Sequence, residues 1–164
     1  MARRVFFSFH YKFDIFRANQ VRNANVVAGP DVAGFFDHSE YQDAKAQGDE
    51  AIRRMILRHL DNTSVTVVLI GTYTATRPWV QFEIAESVKR KNGLLGVFIH
   101  QLQGHNPRGP SAMGSLPAIP TGTEFPWYFW DADVRRFATA IEEAGRRSDA
   151  LKRPPPFGLR GLLR

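Results

Sequence analysis

A chain of 164 residues, 43% hydrophobic and 23% charged, has the size and composition of one ordinary globular domain, and it buries about two-thirds of its unfolded surface on folding. The absence of cysteine excludes disulfides and thiolate chemistry and fits a reducing compartment. The net charge of +6 raises a nucleic-acid reading, but Gly145–Arg164 holds six basic residues against the single acid Asp149, leaving only +1 for residues 1–144. With no aromatic interleaving and no helix-turn-helix spacing, that distribution argues against nucleic-acid readout.

Read in chain order, the N-terminus sets Arg3 and Arg4 before the apolar run Val5-Phe-Phe-Ser-Phe9, which His10, Lys12 and Asp14 cut too short for an export signal. That run reads as a buried first strand, followed by a helix over Ile15–Ala24. Val32–Phe36 reads as a second strand closing on Asp37. Glu50–Leu60 is a clearer helix, with Ile52, Met55, Ile56 and Leu60 spaced along one face. Val65–Ile70, β-branched and ended by Gly71, is the clearest strand. Thr76 and Pro78 open a helix over Trp79–Arg90, with Val80, Ile84 and Val88 as its apolar stripe and Glu86–Arg90 as a surface pair. Leu94–Ile99 is a fourth strand, His100–Pro126 a long Gly/Pro-rich loop, and Phe125–Trp130 a weak fifth strand. A last helix runs from Ala132 to about Arg147, with Val134, Phe137, Ala138 and Ile141 inward. The uncharged stretch Thr63–Tyr73 is too short to span a bilayer, so the expected setting is cytoplasmic, with no membrane partner.

Continuous apolar strands alternating with amphipathic helices imply an α/β flavodoxin-like three-layer sandwich around a central parallel sheet of about five strands. The division is one domain over residues 1–147 and a basic, Pro-containing tail over 148–164. The tail's Phe157–Arg164 mixes apolar and basic residues, either to dock on the body or a neighbouring subunit or as a solvated end.

In such a fold ligands gather beyond the C-terminal strand ends. Three loops there carry candidate chemistry: Ser8–Tyr11, Asp37–Glu40 and Thr72–Glu83. Trp79 and Glu83, four apart on a helix, share a face at the margin of its buried stripe. A carboxylate beside an aromatic plane there suits a cationic ligand; the plainer alternative is an indole covering the core edge and a solvated glutamate. His10 is either a proton carrier or a surface polar group, and Asp37 either a ribose ligand or a turn cap. The five histidines lack metal spacing, and dinucleotide, P-loop and hydrolase-elbow motifs are absent. A receiver domain would need an aspartate where this chain has Leu69-Ile-Gly71.

Taken together, the loops resemble TIR domains. Val5–Tyr11 is similar to their first-strand signature and Gly34-Phe-Phe-Asp37 to their second-strand box. Thr63–Gly71 followed by Trp79-Val-Gln-Phe-Glu83 is similar to their third strand and W-x-x-x-E motif. Over about residues 1–145 the resemblance is to the TIR-like subunits of bacterial Thoeris anti-phage systems. It implies an enzyme that breaks the nicotinamide–ribose bond of NAD⁺ and makes a cyclic ADP-ribose-type signal for a separate effector protein. Glu83 would be the essential carboxylate, Trp79 would stack on a ring of the nucleotide, Phe9, His10 and Tyr11 would line the nicotinamide or phosphate side, and Asp37 would border the ribose. NAD⁺ would be the substrate, with no metal or other cofactor, and self-association is compatible with the family. His10 and Tyr11 stand where some TIR NADases have basic residues, which leaves Arg17 as a substitute phosphate contact. A non-catalytic TIR-like adapter, acting by protein–protein contacts, and a flavodoxin-like small-ligand binder remain as the other readings.

Overall fold

A computed structural model describes residues 3–26 and 38–156. The elements are β1 (Val5–Ser8), α1 (Tyr11–Val26), α2 (His38–Gln47), α3 (Asp49–Leu60), β2 (Val65–Ile70), α4 (Pro78–Lys89), β3 (Gly93–Phe98), β4 (Gly104–His105), β5 (Arg108–Gly109), β6 (Trp127–Phe129) and α5 (Val134–Lys152). Four of them form a parallel sheet in the order β1-β2-β3-β6, with Val5 opposite Val65, Val65 opposite Gly93 and Gly96 opposite Trp127. The expected strand over Val32–Phe36 lies outside the described residues.

Alternation along the strands decides what each face meets. Val5, Phe7, Val67, Leu69, Leu95 and Val97 pack against Ala18 and Val21 of α1 and Phe137, Ile141 and Ala144 of α5. The opposite face divides. Phe6 meets Ala51, Ile52, Met55, Ile56 and Leu60 of α3 together with Ala44 of α2. Val68, Ile70, Leu94 and Phe98 meet Val80 and Ile84 of α4. The result is the expected three layers. Ser8, two residues beyond Phe6, falls by the same alternation on the α3–α4 side.

Local chemistry sets the element ends. Pro78 occupies the first turn of α4, where its missing N–H costs nothing, and Asp133 caps α5 by accepting from the backbone N–H groups of Arg135 and Arg136. Gly48, at φ 102°, makes the corner between α2 and α3. A Cβ at Gly93 would overlap the Ala144 carbonyl, so a glycine there lets α5 lie close on β3.

Several expectations are corrected. α1 begins at Tyr11, four residues before Ile15, and the helix over 38–47 takes in residues 38–40 of the expected Asp37–Glu40 loop. α5 extends to Lys152, and its buried stripe runs through Phe137, Ile141, Ala144, Gly145 and Ser148, whereas Ala138 is exposed. Glu86 pairs with Lys89 at 3.0 Å, not with Arg90, which reaches Asp61 at 2.6 Å. The long loop holds a small antiparallel ribbon, β4–β5, fastened to α1 by Arg17 and Gln20.

Candidate active site

The C-terminal end of β1 and the first turns of α4 meet over α3. Glu83 sits one turn into α4 on its inward side and is 5% exposed. Ser8, fully buried at the end of β1, donates its hydroxyl hydrogen bond to Glu83 Oε2. Burial pushes the Glu83 carboxyl up to about 8, and the Ser8 hydrogen bond opposes that rise only in part. The solvated-glutamate alternative is thereby overturned: α3 covers the residue that α4 alone would leave at an edge.

Glu83 lines a narrow pocket of about 50 Å³ that also takes in Phe9, His10, Tyr11, Lys12, Tyr41, Arg77 and Trp79, closed beneath by Ile52, Met55 and Ile56. Five of the six residues singled out in the sequence are therefore brought together; the sixth, Asp37, lies outside the described residues. Trp79 is half-buried, packed against the α3 cluster and edge-on to Phe82 with ring centroids 5.7 Å apart. The indole thus covers the core edge and borders the pocket at once. Tyr11 stacks on Tyr41 at 4.3 Å, and on Phe9 at 6.0 Å, forming an aromatic wall.

His10 is nearly buried, not a surface group. Burial, followed by the nearby charges of Arg77 and Lys12, holds it below the usual histidine range. Its Nδ1 accepts the Phe13 backbone N–H at 3.0 Å, which places the proton of the neutral ring on Nε2. Arg17, the substitute phosphate contact, is not available for that role. It is 1% exposed, pairs with Asp14 at 3.0 Å, and donates to the Leu102 and Gly109 carbonyls at 3.0 Å each. The basic groups that do border the pocket are Lys12 and Arg77.

The sequence left Ser8, Tyr41, Lys12 and Arg77 without roles. Ser8 had a usable signal, being the one polar residue inside the buried run Val5–Phe9. Tyr41 had none, because α2 turns only Ala44 and part of Tyr41 inward. Among the described residues no group of three or more His, Cys, Asp or Glu is placed to hold a metal ion, and no helix is long and apolar enough to cross a membrane.

Chemically, the pocket offers a buried carboxyl with one oxygen tied to a hydroxyl, aromatic faces, and two cations at its margin. This arrangement suits a ligand with a cationic ring at one end and anionic groups at the other.

Comparison with known proteins agrees with the geometry. Residues 6–104 match the family described as Thoeris protein ThsB, TIR-like domain, a stretch that includes β1 from Phe6 on, α3, β2, α4 and every described site residue. A protein of Bacillus cereus (strain MSX-D12) named "Putative cyclic ADP-D-ribose synthase ThsB1" is 49% identical over 102 residues, 61% of this chain and 53% of the relative. The chain thus spans about half the length of the curated relative it matches. With the parallel sheet, the buried Glu83 and more than half of its length matched, this chain belongs to the family of Thoeris ThsB TIR-like domains.

Proposed function

We propose that this chain is an NAD⁺-processing enzyme that cleaves the nicotinamide–ribose bond and releases a cyclic ADP-ribose-type nucleotide, a diffusible signal to a separate effector in anti-phage defence. The observation that carries the reading is Glu83, a buried carboxyl set at the wall of an aromatic pocket beside Trp79. The name of the Bacillus cereus relative supports the product class.

Loss of nicotinamide leaves an oxocarbenium-like ribose. A fixed carboxylate in a dry site stabilises that developing charge more than it stabilises the ground state. A cationic nicotinamide riboside moiety arriving beside Glu83 also favours its ionised form, so the substrate brings the carboxyl into its working state. Trp79 and the Tyr11–Tyr41 pair offer faces for the ring or for adenine, and Lys12 and Arg77 at the pocket margin offer cations for a diphosphate. Capture of the cation by adenine or a ribose hydroxyl gives a cyclic product, and capture by water gives ADP-ribose. Apolar Ile52, Met55 and Ile56 at the pocket base disfavour the water route.

At about 50 Å³ the pocket is narrow for an aromatic ring. That narrowness is the one observation favouring a second reading, an adapter that works through protein contacts. Chromatography of NAD⁺ incubated with the protein, alone and with lysate from phage-infected cells, separates the two. Glu83-dependent release of nicotinamide and a new ADP-ribose species, lost by at least about 100-fold in Glu83→Gln, is the expected result. Turnover retained in that variant sinks the enzyme assignment to Glu83, and no turnover in either condition favours the adapter.

A further inference from the structure

Ser8 and Glu83 are 75 positions apart in sequence, yet the Ser8 hydroxyl is the carboxyl's one hydrogen-bond partner among the described residues. Neither side chain has solvent to fall back on, at 0% and 5% exposure. The second carboxyl oxygen, Oε1, has no hydrogen-bond partner among the described residues, and Glu83 lines the pocket. A carboxyl so placed is aimed by whatever holds its other oxygen.

Resting on the NAD⁺-cleaving reading, we propose that Ser8 is a positioning residue, whose hydroxyl aims the Glu83 carboxyl into the pocket. Among the described residues no other group takes this task. α3 presents Ile52, Met55 and Ile56, and the α4 residues flanking Glu83 on its buried side are Val80 and Ile84. The titratable or charged groups around the pocket are His10, Tyr11 and Lys12 at the start of α1, Tyr41 on α2 and Arg77 before α4, and none of them bonds the carboxyl. Burial opposes ionisation, and the Ser8 hydroxyl is the contact that favours it. Without Ser8 the carboxyl is both unaimed and harder to ionise. A hydroxyl serves where a cation would not: a lysine or arginine here would hold Glu83 permanently charged and neutralised, weakening its attraction for a cationic transition state.

The test pairs kinetics with a direct titration in Ser8→Ala and Ser8→Thr. NAD⁺ turnover is followed from about pH 6 to about pH 10, where the acid limb of kcat/KM reports the free enzyme's essential base. Ser8→Ala is expected to move that limb up by about one pH unit, so that activity at pH 7 falls about tenfold and recovers toward the alkaline end, while Ser8→Thr keeps the wild-type limb. Infrared difference titration of the carboxyl, identified by its disappearance in Glu83→Gln, gives the readout without turnover, and the Glu83 band is expected to titrate higher in Ser8→Ala. Should Ser8→Ala fail to fold, Ser8→Cys, nearly isosteric and a weaker donor, is expected to shift the band in the same direction. An unmoved acid limb or an unmoved band overturns the role of Ser8. If the wild type turns over no NAD⁺ while the band still moves, the enzyme reading fails and the control of Glu83 by Ser8 stands.

Discussion

Two buried carboxyls lie at the C-terminal end of this sheet, and they are built in opposite ways. Asp14, in the first turn of α1, is fully buried and paired with Arg17, whose remaining donors go to the Leu102 and Gly109 carbonyls. Glu83, on α4, has only the Ser8 hydroxyl and borders a pocket. Burial raises both carboxyls above their ordinary range, with Arg17 opposing at Asp14 and Ser8 at Glu83. The difference lies in what is spent. Asp14 pairs with Arg17 through Oδ1 while Arg17 fastens the β4–β5 ribbon to α1, and although Asp14 Oδ2 keeps no partner, neither residue lines the pocket. Glu83 has no cation, so its charge is available to whatever cation enters the pocket. A buried acid therefore marks chemistry here when its partner is neutral and a cavity adjoins it, and architecture when its partner is a fully engaged arginine.

The largest expected effect falls on the architectural side. Arg17→Ala leaves Asp14 buried without its cation and two carbonyls without their donor, a change expected to cost about 3–5 kcal/mol. Urea unfolding measures it. Turnover per folded molecule should stay within about twofold of wild type at a temperature where the variant remains folded, because Arg17 does not line the pocket. A variant of normal stability that had lost activity would break the comparison and move Arg17 into the site.

An opposite effect is expected at Glu83. Its folded-state value of about 8 stands above the ordinary 4.5, so the folded protein holds this proton more tightly than the unfolded chain does. The stability that goes with the raised value is fully present below about pH 4.5, declines as pH rises, and is lost above about pH 8. Glu83→Gln removes the ionisation, so the variant should gain on the wild type with rising pH, by several kcal/mol at pH 9 and by little at pH 4.5. Thermal melts at the two pH values give the difference. A pH-independent difference would mean that Glu83 is ionised at ordinary carboxylate pH and that the contrast with Asp14 is overdrawn.

How much of this was legible in the sequence follows from where each interaction is written. β2 occupies Val65–Ile70 as read, because a β-branched run buried on both faces needs only itself to be recognised. α4 begins within a residue of its expected start because Pro78 announces it. α2 was not legible, since a helix that buries Ala44 and part of Tyr41 shows almost no apolar period. The apolar spacing points the inward stripe of α5 through Ala138, whereas the helix turns Ala144, Gly145 and Ser148 inward, small residues of which Ala144 lies against Gly93 of β3 and Gly145 against the Arg3 side chain. At the site, the Trp79–Glu83 spacing located the carboxyl, but its burial comes from α3 and its aim from β1, and neither contact is written in α4.

The smallest expected effect separates burial from pairing. Arg3 donates to two carboxylates of α5, Glu142 at 3.0 Å and Asp149 at 2.8 Å, so in number of charges it surpasses the Asp14–Arg17 pair. Its partners are 39% and 47% exposed, however, and water can replace what they lose. Hydrogen bonding to Arg3 holds both acids below their ordinary range, so this contribution is present at neutral pH and disappears as acid protonates them. Arg3→Ala should lower Tm by a few degrees at most, less in 1 M salt, and by nothing measurable once pH has fallen below the carboxylate range. A loss as large as that of Arg17→Ala, and insensitive to salt, would show that the count of partners rather than their burial governs these pairs, and the distinction between Asp14 and Glu83 would then need another cause.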